Sequence, residues 1–210
     1  MDSRSRLDCL NFAAFDALLT VLEKTFVVLS MCVPQPSCKL VNARVGFDYR
    51  YTEQSHQQAL VLKVARLMSA LQGVRTLTAA GLYQEQGALQ RIVDEVNEDI
   101  LFIISAIEGR TSPHHERFFK AFWAEEFPDS PNTLARHAKR DVVDRRSIRA
   151  HIHSSFSATK NPSLAADVGH SLSSVYSGFV HGASSQIMDM YFGRRPPALS
   201  SGSVWSPELL

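Results

Sequence analysis

Gln54–Ala80 reads QSHQQALVLKVARLMSALQGVRTLTAA and Tyr83–Ile107 reads YQEQGALQRIVDEVNEDILFIISAI, and these two segments decide the fold. In the first, Leu60, Val64, Leu67, Met68, Leu71, Val74 and Leu77 recur every three or four positions, the spacing that stacks side chains along one face of an α-helix. Leu89, Ile92, Val93, Val96, Ile100, Ile103 and Ile107 do the same in the second. Gly81 separates them, and a glycine just past a helix end lets the chain reverse, so the pattern predicts an antiparallel helical hairpin.

Upstream, a helix is predicted from Asp8 to Met31, with Leu10, Ala14, Ala17, Leu18, Val21, Leu22 and Val28 as its apolar face and Pro34 and Pro36 ending it. Val33–Thr52 mixes proline, serine, glycine and aromatics without helical period and reads as an ordered surface connection, long enough to cover something. Downstream, Glu108-Gly109-Arg110 stops the hairpin. Ser112-Pro113 then opens a shorter helix through Phe127, crowded with Phe118, Phe119, Phe122 and Trp123. Helical patches follow at Thr133–Lys139 and Val142–Phe156, and Asn161-Pro162-Ser163 opens a long final helix, Leu164–Phe192. Its apolar stripe of Leu164, Val168, Leu172, Val175 and Phe179 is expected to enter the core. No segment sustains the period-two alternation of a strand. The fold class is therefore all-α: a single helical-bundle domain over residues 1–192, built on the hairpin and the C-terminal helix, then an irregular tail over 193–210.

At 210 residues and 45% hydrophobic content, the chain has material for one full-sized core. Lys plus Arg number 22 against 21 acidic residues, a formal charge of +1, so no whole-molecule field draws in nucleic acid or anionic membrane. Phosphate binding would need a local patch. Arg136, Lys139, Arg140, Arg145, Arg146 and Arg149, with His151 and His153, form the dense one, read as a solvated basic face suited to phosphate contacts. Acidic residues cluster elsewhere, at Asp94, Glu95, Glu98 and Asp99.

Cys9, Cys32 and Cys38 make no CxxC pair, which indicates neither a disulfide framework nor a thiolate zinc site and fits a reducing cytosol, so the protein is expected to be cytoplasmic. Asp8, Asp16, Glu23 and Lys24 interrupt the N-terminal apolar region before a membrane-spanning length accumulates, so no membrane partner is expected. No cofactor is expected either, because phosphate loops, dinucleotide fingerprints and nucleophile elbows are absent. Nor is a metal: there is no HExxH, and His151 and His153 diverge by about 200° on a helix.

The candidate site lies on the final helix, where His170, Ser174, Ser177, His181, Ser184 and Met188 alternate gaps of four and three and form a polar seam. Its densest part is Tyr176-Ser177-Gly178-Phe179-Val180-His181-Gly182, whose glycines suit close approach of another helix or a ligand. Taken with Gln90-Arg91-Ile92-Val93-Asp94-Glu95, this motif resembles uncharacterised bacterial helical proteins related to the HEPN superfamily, over roughly Gln54 to Tyr191. The resemblance implies a HEPN-like bundle that acts on RNA or a nucleotide in bacterial defence or a toxin system. It also implies a metal-independent ribonuclease motif of arginine, polar residue and histidine, two copies of which meet across a homodimer. Aligned on His181, Ser177 takes the polar position and Tyr176 stands where the family has arginine.

RNA cleavage needs a group to accept the 2′-hydroxyl proton and a cation to stabilise the phosphorane, and tyrosine is no cation. Arg91 on the neighbouring helix would have to supply it, in one polar pocket with Glu95, Tyr176, Ser177 and His181; Arg91 and Glu95, four apart, equally suit a surface ion pair. Arg146 to His151 and Arg110 to His115 fit the arginine–histidine spacing literally, but about two such matches arise by chance in this composition. The alternative function is a catalytically inactive interaction module that binds a protein partner through the seam and the tail.

Overall fold

The computed structural model describes residues 12–42, 46–124, 141–156 and 162–184. Among them the elements run α1 (Ala13–Met31), β1 (Ser37–Asn42), β2 (Gly46–Arg50), α2 (His56–Ala79), α3 (Tyr83–Ile107), α4 (Pro113–Trp123), α5 (Arg145–Phe156) and α6 (Pro162–His181). The tail at 193–210, the patch at Thr133–Lys139 and the seam position Met188 lie outside the described residues.

The hairpin is present as α2 and α3. Lys63 meets Asp99, and Gly73 lies against Leu89, the descending order that an antiparallel pair requires. At the turn Gly81 takes φ +75°, a left-handed conformation open to glycine, and the Leu82 amide donates to the Leu77 carbonyl at 2.9 Å. α3 ends in the same way: Gly109 sits at φ +81° and the Arg110 amide donates to the Ser105 carbonyl at 2.8 Å. The predicted apolar positions Leu60, Val64, Leu67, Leu71 and Val74 of α2 and Val93, Val96, Ile100 and Ile103 of α3 are buried.

Three expectations need correction. First, the connection after α1 contains an antiparallel two-stranded sheet, paired from Ser37↔Arg50 through Leu40↔Phe47 with an irregularity between Leu40 and Asn42. Its strands are six and five residues long, too short for alternation to stand out from sequence. Second, α1 does not bury the predicted face. Leu18, Val21 and Val28 are exposed, whereas Leu19 is buried and Phe12, Phe15, Leu22, Phe26 and Leu29 are half-buried. Thirteen of the nineteen residues of this helix are apolar, so spacing does not single out a face. Third, the middle of the α6 stripe does not enter the core: Val168, Leu172 and Val175 are each 52% exposed, whereas Phe179 is half-buried against α3; the Leu164 side chain lies outside the described residues.

The described residues form two compact units. Residues 12–23, 66–97 and 167–184 belong to the first, in which Asp16 of α1 accepts two hydrogen bonds from Arg75 of α2, at 2.5 and 3.0 Å. Residues 24–42, 46–65, 98–124, 141–156 and 162–166 belong to the second. Its core includes Phe102, Val143, Ile148 and Ile152, with Leu101 and Phe118 packed against them. No described helix is long and apolar enough to cross a membrane.

α6 docks closely on α3 at one glycine. A Cβ built at Gly87 would stand 2.8 Å from Cγ of Phe179 and 3.0 Å from both Cδ atoms, the rigid base of the ring. Gly87→Ala should therefore lower stability by about 1–3 kcal/mol from overpacking, against a helix-propensity gain of at most about 1 kcal/mol. In a Phe179→Ala background, which lacks the clashing Cγ and Cδ atoms, Gly87→Ala should no longer lower the urea midpoint. Gly73→Ala, whose Cβ meets only the flexible tip of Leu89, should cost less.

Candidate functional site

The first unit carries the seam. Arg91 donates from Nε to Glu95 Oε1 at 2.9 Å and from Nη1 to Ser177 Oγ at 2.8 Å. One guanidinium thus joins an acidic residue of its own helix to the polar position of α6, and Arg91 and Glu95 are both half-buried. Tyr176 is half-buried beside Ser177, and no hydrogen bond joins it to this group among the described residues. His181, one turn beyond Ser177, is exposed at the last residue of α6 and is likewise not bonded to the group. His170 and Ser174 are exposed on the preceding turns. The structure therefore assembles Arg91, Glu95 and Ser177, and leaves His181 open to solvent on the same face.

Two members of the basic cluster, Arg145 and Arg149, are not on a solvated face. In the second unit Arg145 donates to Asp99 Oδ1 at 2.5 Å, Arg149 to Glu98 Oε1 at 2.6 Å, and Lys63 to Asp99 Oδ2 at 2.7 Å. Asp99 and Arg149 are buried, at 2% and 6% exposure. Two of the acidic residues read as lying elsewhere, Glu98 and Asp99, are the partners of Arg149 and Arg145, across separations of 51 and 46 residues that no local pattern reports. Burial pushes the Glu98 carboxyl above the usual carboxylate range, against the opposing pull of the Arg149 guanidinium. Arg146 remains exposed, and Arg136, Lys139 and Arg140 lie outside the described residues.

His115 and His151 converge on a buried hydroxyl. Ser105 Oγ lies 3.1 Å from His115 Nε2 and 2.9 Å from His151 Nε2, and donates to the Phe102 carbonyl at 2.7 Å. The two imidazoles meet edge to face with centroids 4.7 Å apart, and His115 stacks on Phe102 at 3.8 Å. The His115 tautomer follows from its partners. Its Nδ1 accepts the Ser112 backbone N–H at 2.9 Å, so the neutral ring carries its proton on Nε2 and faces the Phe102 carbonyl at 3.0 Å. The Ser112–His115 contact is half of a capping box at the start of α4, with histidine where glutamate or glutamine is usual.

A serine between two imidazoles has the parts of an activated nucleophile, but Ser105 is fully buried, so the group holds helices together rather than attacking a ligand. Of the literal motifs, Arg110 and Arg146 are exposed, His115 is buried and His151 half-buried, and no hydrogen bond joins either arginine to its histidine among the described residues. Among the described residues no three His, Cys, Asp or Glu side chains are placed to hold a metal ion, and Cys32 and Cys38 are free and exposed. The sequence reading overlooked Ser105 and a cavity on α4 bordered by His56 and Lys120. The signal available for the cavity was the aromatic crowding of Phe118, Phe119, Phe122 and Trp123. No family model, curated protein or solved structure matches the chain.

Burial holds the pKa of His115 and of His151 below the ordinary histidine value; each is further lowered by a neighbour, His151 in one case and His114 in the other. As pH falls below about 6.5 the unfolded chain takes up protons that the folded cluster refuses. Stability should thus be full above that pH and decline as the solution is acidified. His115→Gln, which keeps an acceptor for the Ser112 amide, should flatten the decline in urea midpoints measured between about pH 5 and 8. An unchanged slope would remove His115 from the account.

Proposed function

We propose that this chain is a HEPN-like protein that acts on RNA or a nucleotide, as a homodimer in a reducing cytosol, within a bacterial defence or toxin system. One observation carries the reading: Arg91 Nη1 lies 2.8 Å from Ser177 Oγ. The motif has Tyr176 where an arginine is expected, and this contact supports Arg91 as the cation in its stead. In such a site His181 accepts the 2′-hydroxyl proton, Arg91 stabilises the phosphorane charge and Ser177 orients the guanidinium. Glu95 keeps the guanidinium in place before substrate arrives.

A second reading, a catalytically inactive interaction module, has its own support in the exposed Val168, Leu172 and Val175 of α6, which form an apolar stripe open to a protein partner.

Incubation with mixed RNA substrates, with and without EDTA, separates the two. The ribonuclease reading expects cleavage that survives EDTA and falls by about 100-fold or more in Arg91→Ala and in His181→Ala, with both variants folded by circular dichroism. Absence of cleavage by folded wild-type protein would favour the interaction module, and a monomeric mass in light scattering would count against the homodimer.

A further inference from the structure

The second unit contains a cavity of about 520 Å³ between the start of α2 and one face of α4, a volume in the range that holds small ligands. Its floor is aromatic. Phe119 and Trp123 are 7% and 2% exposed, and the His56 ring stacks on Phe119 at 3.9 Å with planes 9° apart. Burial holds His56 below the ordinary histidine pKa, so the stacked surface is uncharged at neutral pH. The rim carries both signs of charge. Glu116 and Lys120, one turn apart on α4, are exposed and make no hydrogen bond among the described residues, although the Lys120 ammonium also acts at longer range on the Asp141 carboxylate. Their neighbour Arg117, by contrast, donates twice to Asp141, at 2.9 and 2.5 Å.

We infer that this cavity binds a small ligand combining a flat aromatic ring, an anionic group and an N–H donor. The ring lies against the half-buried His56, which Phe119 backs, where stacking and burial of apolar area favour it. The anionic group meets the Lys120 ammonium, and the donor meets the Glu116 carboxylate. A simple anion would face Glu116 unmatched, a simple cation would face Lys120 unmatched, and a bare hydrocarbon ring would leave both charges unused. A dipolar ring satisfies all three surfaces. Two sources share this chemistry: a nucleoside monophosphate with an exocyclic amine, and an aromatic amino acid. The inference stands on residues other than Arg91, Ser177 and His181 and does not depend on the ribonuclease reading.

Calorimetric titration of the full chain with adenosine 5′-monophosphate, adenosine, inorganic phosphate and L-phenylalanine tests it. Trp123 fluorescence in a Trp205→Phe background serves as a second readout. Saturable binding of the monophosphate or of phenylalanine is expected, tighter than adenosine or phosphate alone and weakened about tenfold or more by Lys120→Ala and by Glu116→Gln. Whichever of the two binds identifies the source. The inference is overturned if neither saturates at millimolar concentration, if phosphate alone binds as well as the monophosphate, or if binding is indifferent to both substitutions.

Discussion

Two adjacent carboxylates on α3, Glu98 and Asp99, set the arrangement of the second unit. Asp99 is 2% exposed, and a carboxylate removed from water loses several kcal/mol unless cations and hydrogen bonds replace the solvent. Lys63 of α2 and Arg145 of α5 meet it, while Arg149 of α5 meets Glu98. Arg145 and Arg149 stand one helical turn apart, so engaging both carboxylates fixes the rotation and register of α5. With that register set, Ile148 and Ile152 reach Phe102 and Val143, and His151 reaches Ser105. The charged contacts decide where the helix sits, and the apolar ones supply the burial that holds it there.

The Ser105 group shows how the same unit accommodates its remaining polar atoms. One hydroxyl on α3 serves a histidine of α4 and a histidine of α5, and the second nitrogen of His115 takes up an amide at the open end of α4. A buried network is favourable while every member is bonded and costly when one is not. Here the bonding requires a neutral His115 ring, because a proton on His115 Nδ1 would confront the Ser112 N–H. Helix capping and histidine ionisation are thus a single equilibrium, which ties the acid sensitivity of the unit to one end of one helix.

What could be read from the sequence follows a physical division. α2 and α3 were legible because their faces alternate apolar and polar at helical period, and Gly81 marks their turn. The buried face of α1 was not, because Leu18 and Leu19 are equally apolar and only the packed structure separates an exposed side chain from a buried one. The α6 stripe reads as core by pattern, yet a pattern states that a face is apolar and not what covers it. Arg145 and Arg149 looked free because their partners lie on another helix; a composition count gives the charges but not their pairing. The site itself was half legible. Arg91, Glu95 and Ser177 were named from spacing and resemblance and do meet, whereas the cavity beside Lys120 depends on two helix starts that nothing local in the sequence joins.

The pairing of charges also separates the cations that can engage a phosphate from those that cannot. For Arg149 to turn to a phosphate it must abandon Glu98, whose side chain is 17% exposed; leaving a buried partner unpaired costs about 3–5 kcal/mol, while a charge-assisted hydrogen bond returns about 1.5–3 kcal/mol. The exchange runs uphill, so Arg149 is held by its own chain. Arg91 stands differently. Its partner Glu95 is 28% exposed and can be rehydrated in place, and a pair with that much access to water contributes only about 0–1 kcal/mol. Exchanging it for a phosphate is then downhill, with the Ser177 contact available to keep the guanidinium oriented during the exchange. Of these two arginines, Arg91 is the one that chemistry leaves available to a phosphate.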